Sequence, residues 1–176
     1  MSEARPASDA PRAAASPPGG AAQAPAFPRP LPRPSAESAP FWQALRRGRI
    51  ELPRCTACGK LIFYPRAFCP HCLGRDVAWQ EIDGRGTVYT FTVVHKPTNP
   101  YFMGSAPYVY AIVELEAGVR LPTMLVGCEP AEVRIGTPVE PVFERVDDEV
   151  TLLYFRPRAA TAPAPRAGSR EAPGRS

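Results

Sequence analysis

The sequence predicts a mainly β protein: one short helix, a cysteine-rich ribbon and a small closed β-barrel, set between two disordered tails. Three observations predict it. Composition changes abruptly near residues 40 and 156. Four of the five cysteines fall between Cys55 and Cys72. Downstream of them, apolar and polar residues alternate with period two in runs separated by turn residues, with no strand–helix–strand alternation.

The tails come first. Residues 1–39 are mostly Ala, Pro, Ser and Arg, without periodicity and with almost no large apolar side chains; residues 156–176 repeat that composition. Such segments bury too little surface to offset ordering entropy, so both are expected to be disordered. The first carries four arginines against three acids and the second five against one, so of the total +4 they contribute +1 and +4. The intervening residues are therefore near −1. A folded nucleic-acid reader carries a concentrated basic face, which this core lacks by count. The N-terminus has no apolar h-region of a secretory signal, and no run is apolar for long enough to span a bilayer. A cytoplasmic protein without membrane attachment is expected.

The ordered part opens with PFWQALRRGRIELPRC. Phe41, Trp42 and Leu45 fall at i, i+1 and i+4, with Arg46, Arg47 and Arg49 turned elsewhere. This predicts a short amphipathic helix beginning near Ser38 or Pro40 and stopped by Gly48, with residues 40–54 as helix and linker. Its aromatics pack either on the domain's own core or on a partner.

The ribbon follows at residues 55–76. Cys55, Cys58, Cys69 and Cys72 form two C-x-x-C pairs ten residues apart. Disulfides suit secreted chains, and a redox C-x-x-C sits once, in a strand–helix context that is missing here. Metal ligation remains. Zn²⁺ takes four tetrahedral ligands in a closed structural site, which paired knuckles supply. Gly59 and Gly74 flank the pairs and let backbone N–H groups turn toward the thiolates. A hairpin through Leu61–Phe68 is expected to return the chain. One structural zinc ion is the reading, with redox or iron use as the alternative.

Residues 77–155 supply the barrel. AWQEI ends at the Asp83-Gly84 turn pair, and GTVYTFTVVHK, YVYAIVEL, RLPTMLVG, PVEPVFERV and VTLLYF follow as strands. At this size a closed barrel removes exposed edges better than a sandwich. EPAEVRIG reads as one helical turn closed by Gly136, between the third and fourth strands, as in an OB-fold. Between two strong strands lies KPTNPYFMGSAPY, which offers Tyr101, Phe102 and Met103 to whatever sits beside the barrel. Loops of this length are often functional.

No catalytic constellation is visible. His71 lies in a knuckle and His95 at a strand end, neither near a nucleophile with a third member. Cys128 reads as a small packing residue. Asp147, Asp148 and Glu149 read as an exposed turn, and the Gly84–Gly86 stretch precedes a strand where a phosphate loop would precede a helix.

Together, FWQALRRGRI, CTACGK…PRAFCPHC, W…GRGTVYTFTVVHKP, PYVYAIVELEAGVRLPTMLVG and IGTPVEPVFE resemble the DUF35 family, over residues 41–155. The resemblance implies a rubredoxin-like zinc ribbon joined to an OB-fold, with the four cysteines holding zinc. It also implies a non-catalytic subunit beside thiolases and thiolase-like lipid-transfer proteins, often with a hot-dog-fold hydratase nearby, and acyl-CoA handling as the common thread. In some members the domain is fused to a hydratase; here it is expected to stand alone. No family motif for CoA contacts transfers to particular residues. On this reading Phe41, Trp42, Leu45, Tyr101, Phe102 and Met103 form the partner or ligand surface. The alternative is a single-stranded nucleic-acid binder, since ribbons and OB-folds both occur in such proteins. The near-neutral core favours the accessory subunit.

Overall fold

The computed structural model describes residues 27–158. Its order is one helix, a two-stranded ribbon sheet, and a closed five-stranded barrel. No helix among these residues is long and apolar enough to cross a membrane.

Helix α1 (Ala39–Arg46) has Pro40 in its first turn, where the missing N–H costs nothing, and buries Phe41, Ala44 and Leu45 at i, i+3 and i+4. Gly48, at φ 69°, stops it by donating its N–H to the Leu45 carbonyl at 2.9 Å.

Strand β1 (Ile50–Cys55) then pairs antiparallel with β2 (Val77–Ile82), from Ile50↔Ile82 to Cys55↔Val77. Three expectations change here. Residues 50–54 are strand and not linker. Val77–Ile82 belongs to the ribbon sheet and not to the barrel. The return through Leu61–Phe68 is not a hairpin: Leu61 makes a single bridge to Arg54, and the Ile62 N–H donates to the Pro53 carbonyl at 2.9 Å. Pro53 interrupts the β1 pattern in sequence, yet a two-stranded sheet has only edges, where proline is tolerated.

The barrel runs β3 (Gly86–Val94), β4 (Tyr108–Leu115), β5 (Arg120–Leu125), β7 (Thr151–Pro157) and β6 (Pro138–Arg145), back to β3. All pairings are antiparallel except β5 with β7, where Leu125 lies opposite Phe155. A bulge at Tyr89 bends β3, as barrel closure requires. The Pro130–Glu132 turn falls between the third and fourth barrel strands. Inward-facing Val88, Val109, Val113, Leu121, Val139 and Phe155 form the barrel core, each at most 2% exposed. Gly86 is forced by close approach: a Cβ there would sit 2.4 Å from the Glu114 carbonyl oxygen.

A second core joins the parts. Phe41 and Leu45 of α1 pack with Ile50 and Leu52 of β1 and with Val119, flanked by Phe143 and Leu153 from the barrel. Helix, ribbon sheet and barrel thus share one apolar interface. Of the expected 1–39 tail, residues 27–38 are described, and Arg29 there pairs with Glu144 of β6. Residues 1–26 and 159–176 lie outside the described residues.

Candidate metal centre and partner surface

The two C-x-x-C pairs fold as near-equivalent knuckles. In the first, Gly59 at φ 70° donates its N–H to the Cys55 carbonyl; in the second, Leu73 at φ 63° does the same to Cys69, both at 2.9 Å. Sequence reasoning assigned the second glycine role to Gly74, one residue late. Gly74 serves differently: a Cβ there would lie 3.4 Å from the Cys72 Sγ and 3.7 Å from the Cys55 Sγ, so its backbone runs against the thiols. A left-handed leucine costs about 1–2 kcal/mol, and this one is 72% exposed, so no burial of its side chain offsets that cost.

The four Sγ atoms lie within 4.8 Å of one another, with Cys55–Cys72 at 3.5 Å and Cys58–Cys69 at 3.6 Å. A tetrahedral ion with Zn–S of about 2.3 Å sets S···S near 3.8 Å, so the group fits. The His71 backbone N–H points at the Cys69 Sγ from 3.4 Å. Burial pushes the Cys69 thiol up, but the N–H groups of His71 and Cys72 and the neighbouring thiols outweigh it, bringing it down to about 7. The Gly74 N–H pulls Cys72 down, yet Cys55 and Cys58 crowd it and push it up to about 12. Thiols so crowded share protons until a cation displaces them. Cys55 and Cys69 are buried, while Cys58 and Cys72 face outward.

The expected partner surface divides. Phe41 and Leu45 are buried in the second core, because barrel residues 119, 143 and 153 arrive to cover them; they are not surface residues. Trp42 is half-buried, edge-to-face on Phe41 at 5.2 Å, and its Nε1 is buried without a hydrogen-bond partner among the described residues. In the loop, the Asn99 side chain accepts the Tyr101 N–H at 2.9 Å and starts a 3₁₀ turn over Pro100–Ser105. Tyr101 and Phe102 are half-buried, with Phe102 packed beside Met124, Val126 and Tyr154; Met103 is 60% exposed.

Other exposed apolar residues were missed. Tyr64, Phe68 and Leu73 all project from the ribbon. The signal available for Leu73 was a leucine where a knuckle favours glycine. Tyr89 and Tyr110 stand outward on β3 and β4, but Arg120 stacks 3.5 Å over the Tyr89 ring and is held by Glu114. Cys128 packs half-buried against the barrel core, its thiol pushed up by burial and by Glu132 and Glu129. That is the reverse of an activated nucleophile.

Residues 42–78 match the family described as "ChsH2, rubredoxin-like zinc ribbon domain", and residues 79–144 match "ChsH2, C-terminal OB-fold domain". The chain belongs to the DUF35/ChsH2 family. Its four-cysteine group is therefore the zinc site of a rubredoxin-like ribbon. This DUF35 chain is 44% identical over 98 residues to a "DUF35 domain-containing scaffold protein" of Methanocaldococcus jannaschii, covering 54% of this chain and 68% of the relative. It is 41% identical over 129 residues to a "probable enoyl-CoA hydratase alpha subunit" of Thermomonospora curvata; the match covers 73% of this chain but only 40% of that relative's length. Among solved structures, "Ltp2-ChsH2(DUF35) aldolase" superposes with a TM-score of 0.65 at 40% identity, covering 72% of this chain and 98% of the other. A DUF35 protein of unknown function from Sulfolobus solfataricus, 17% identical, covers 70% of this chain and 86% of its own, with a TM-score of 0.50, and shares the fold.

Proposed function

We propose that this DUF35 protein is a non-catalytic accessory subunit of an acyl-CoA-processing complex, docked on a thiolase-like enzyme of the lipid-transfer or aldolase type. The observation that carries the reading is the 40% identity to a solved chain almost wholly covered by this one, whose name joins ChsH2 to an aldolase. Relatives named as subunits of CoA-ester hydratases support the substrate class, and relatives named scaffold proteins support the non-catalytic role.

His71 and His95 are exposed, and Cys128 is held as a thiol by burial and by Glu132 and Glu129. The zinc site has four protein ligands and thus no open position for a substrate. The ribbon and barrel provide exposed apolar side chains, Leu73, Ile135 and Met103 foremost, that suit docking on a partner. Trp42, Tyr101 and Phe102, each half-buried, are further candidate anchors. A hot-dog-fold hydratase in the same assembly belongs to this proposal.

The test is an acyl-CoA cleavage assay with the thiolase-like protein alone, this chain alone, and both together. Activity only in the mixture is expected. Full activity of the partner alone, or turnover by this chain alone, rejects the reading. The exposed Tyr89 and Tyr110 would suit single-stranded nucleic acid, although Arg120 covers one face of Tyr89. Tight oligonucleotide binding at physiological salt would favour that alternative.

A further inference from the structure

Residues 27–34 read Phe-Pro-Arg-Pro-Leu-Pro-Arg-Pro: one four-residue unit, apolar–Pro–Arg–Pro, written twice. Proline at every second position removes backbone donors and fixes φ, so the segment neither coils into helix nor joins a sheet ladder. It stays extended, with little freedom to lose on docking.

The first copy is docked. Arg29 has its side chain only 12% exposed, although arginine normally keeps its head in water. Its two terminal nitrogens donate to the two Glu144 oxygens at 2.8 and 3.1 Å, and Nη2 also donates to the Tyr154 hydroxyl. The Tyr101 ring centroid lies 5.8 Å from the guanidinium carbon. Each contact answers a separate feature of a guanidinium: a carboxylate for the fork, a phenol oxygen for a further N–H, an aromatic face for the flat cation. An ammonium could satisfy only part of this. Of the described ion pairs, this is the one with both side chains less than a quarter exposed.

The receiving groups belong to the body of the protein. Glu144 is on β6, and Tyr154 is on β7, paired with Val142 two residues before Glu144. Tyr101 lies in the 3₁₀ turn over Pro100–Ser105 that carries Met103. The site is thus built by two barrel strands and one capped turn, distant in sequence from the segment that fills it.

We propose that Glu144, Tyr154 and Tyr101 form a recognition site for the arginine of a Pro-Arg-Pro segment, filled in this chain by its own Arg29. A tethered segment docks against an effective concentration of about 1 mM. For the tethered copy to stay docked, the free segment must bind the empty site more tightly than that. The second copy sets Arg33 in the same sequence surroundings four residues on, so it competes for the same site when Arg29 is removed. This inference holds whatever enzyme the protein assists.

The experiment uses the full chain carrying Arg29→Ala and Arg33→Ala together, which empties the site, and the peptide Phe-Pro-Arg-Pro-Leu as ligand in calorimetry. Saturable binding with Kd below about 1 mM is expected. It should weaken at least tenfold when Glu144→Gln is added, and equally when the peptide's arginine is replaced by citrulline, which leaves the protein untouched. The chain retaining both arginines should bind the peptide at least fivefold more weakly than the emptied one. No saturation in the emptied chain, or equal binding of the citrulline peptide, overturns the proposal.

Discussion

Stripping the metal should collapse the ribbon and spare the barrel. The loop between β1 and β2 is supported by Cys55, Ile62 and Cys69, with Val77 half-buried beside them, and by Leu61 and Phe63, half-buried against the second core. At about 1.5–3 kcal/mol for a fully buried large side chain, and less for cysteine and for half-buried residues, that is about 5–8 kcal/mol in all. Structural zinc in small domains contributes about 10–16 kcal/mol at neutral pH. The metal term exceeds the packing term, so the loop should not hold its fold on packing alone. The barrel keeps its own core from Val88 to Phe155 and needs neither. Chelation followed by hydrogen exchange should deprotect the amides between Cys55 and Val77 while β4 and β5 stay protected. The affinity should also fall with acid. Crowding by its neighbours holds the Cys72 thiol protonated, and zinc must displace that proton to bind. Protons compete with the metal, so log affinity should drop with falling pH. Unchanged protection in verified metal-free protein, or an affinity flat from pH 8 to 6, refutes the reasoning.

Four further outcomes follow from packing and exposure. Gly86→Ala should cost about 1–3 kcal/mol by denaturant unfolding, because its Cβ would meet the Glu114 backbone at 2.4 Å. Leu45→Ala, at a side chain 1% exposed, should cost about 2–5 kcal/mol of stability, whereas Met103→Ala should leave unfolding unchanged and weaken the complex by about 1–3 kcal/mol, read by calorimetry on the assembled pair. Cys128→Ala should leave the activity of the assembled complex within about twofold, since its raised thiol is a packing group.

What could be read beforehand follows from how local each signal is. The ribbon was legible because four thiols within two short motifs have few other uses. Most barrel strands were legible because Tyr108–Leu115 alternates cleanly and Gly86–Val94 does so up to its bulge at Tyr89. Strand β1 was not, since Pro53 breaks its pattern and its partner Trp79 arrives from beyond the zinc loop. The helix's apolar stripe was visible, but not what it faces: Phe41 and Leu45 are buried by Val119, Phe143 and Leu153, contributed by the far end of the chain. Arg29 was hidden for the same reason. Its proline-rich surroundings look disordered by composition, and Glu144, which holds it, lies 115 residues away.

The proposed role, a non-catalytic subunit docked on a thiolase-like enzyme, is decided by size-exclusion chromatography with light scattering on the chain co-expressed with a thiolase-like protein. A single complex of defined stoichiometry, stable at micromolar concentration, is expected. Separate elution of two folded, zinc-loaded and individually intact proteins would contradict it.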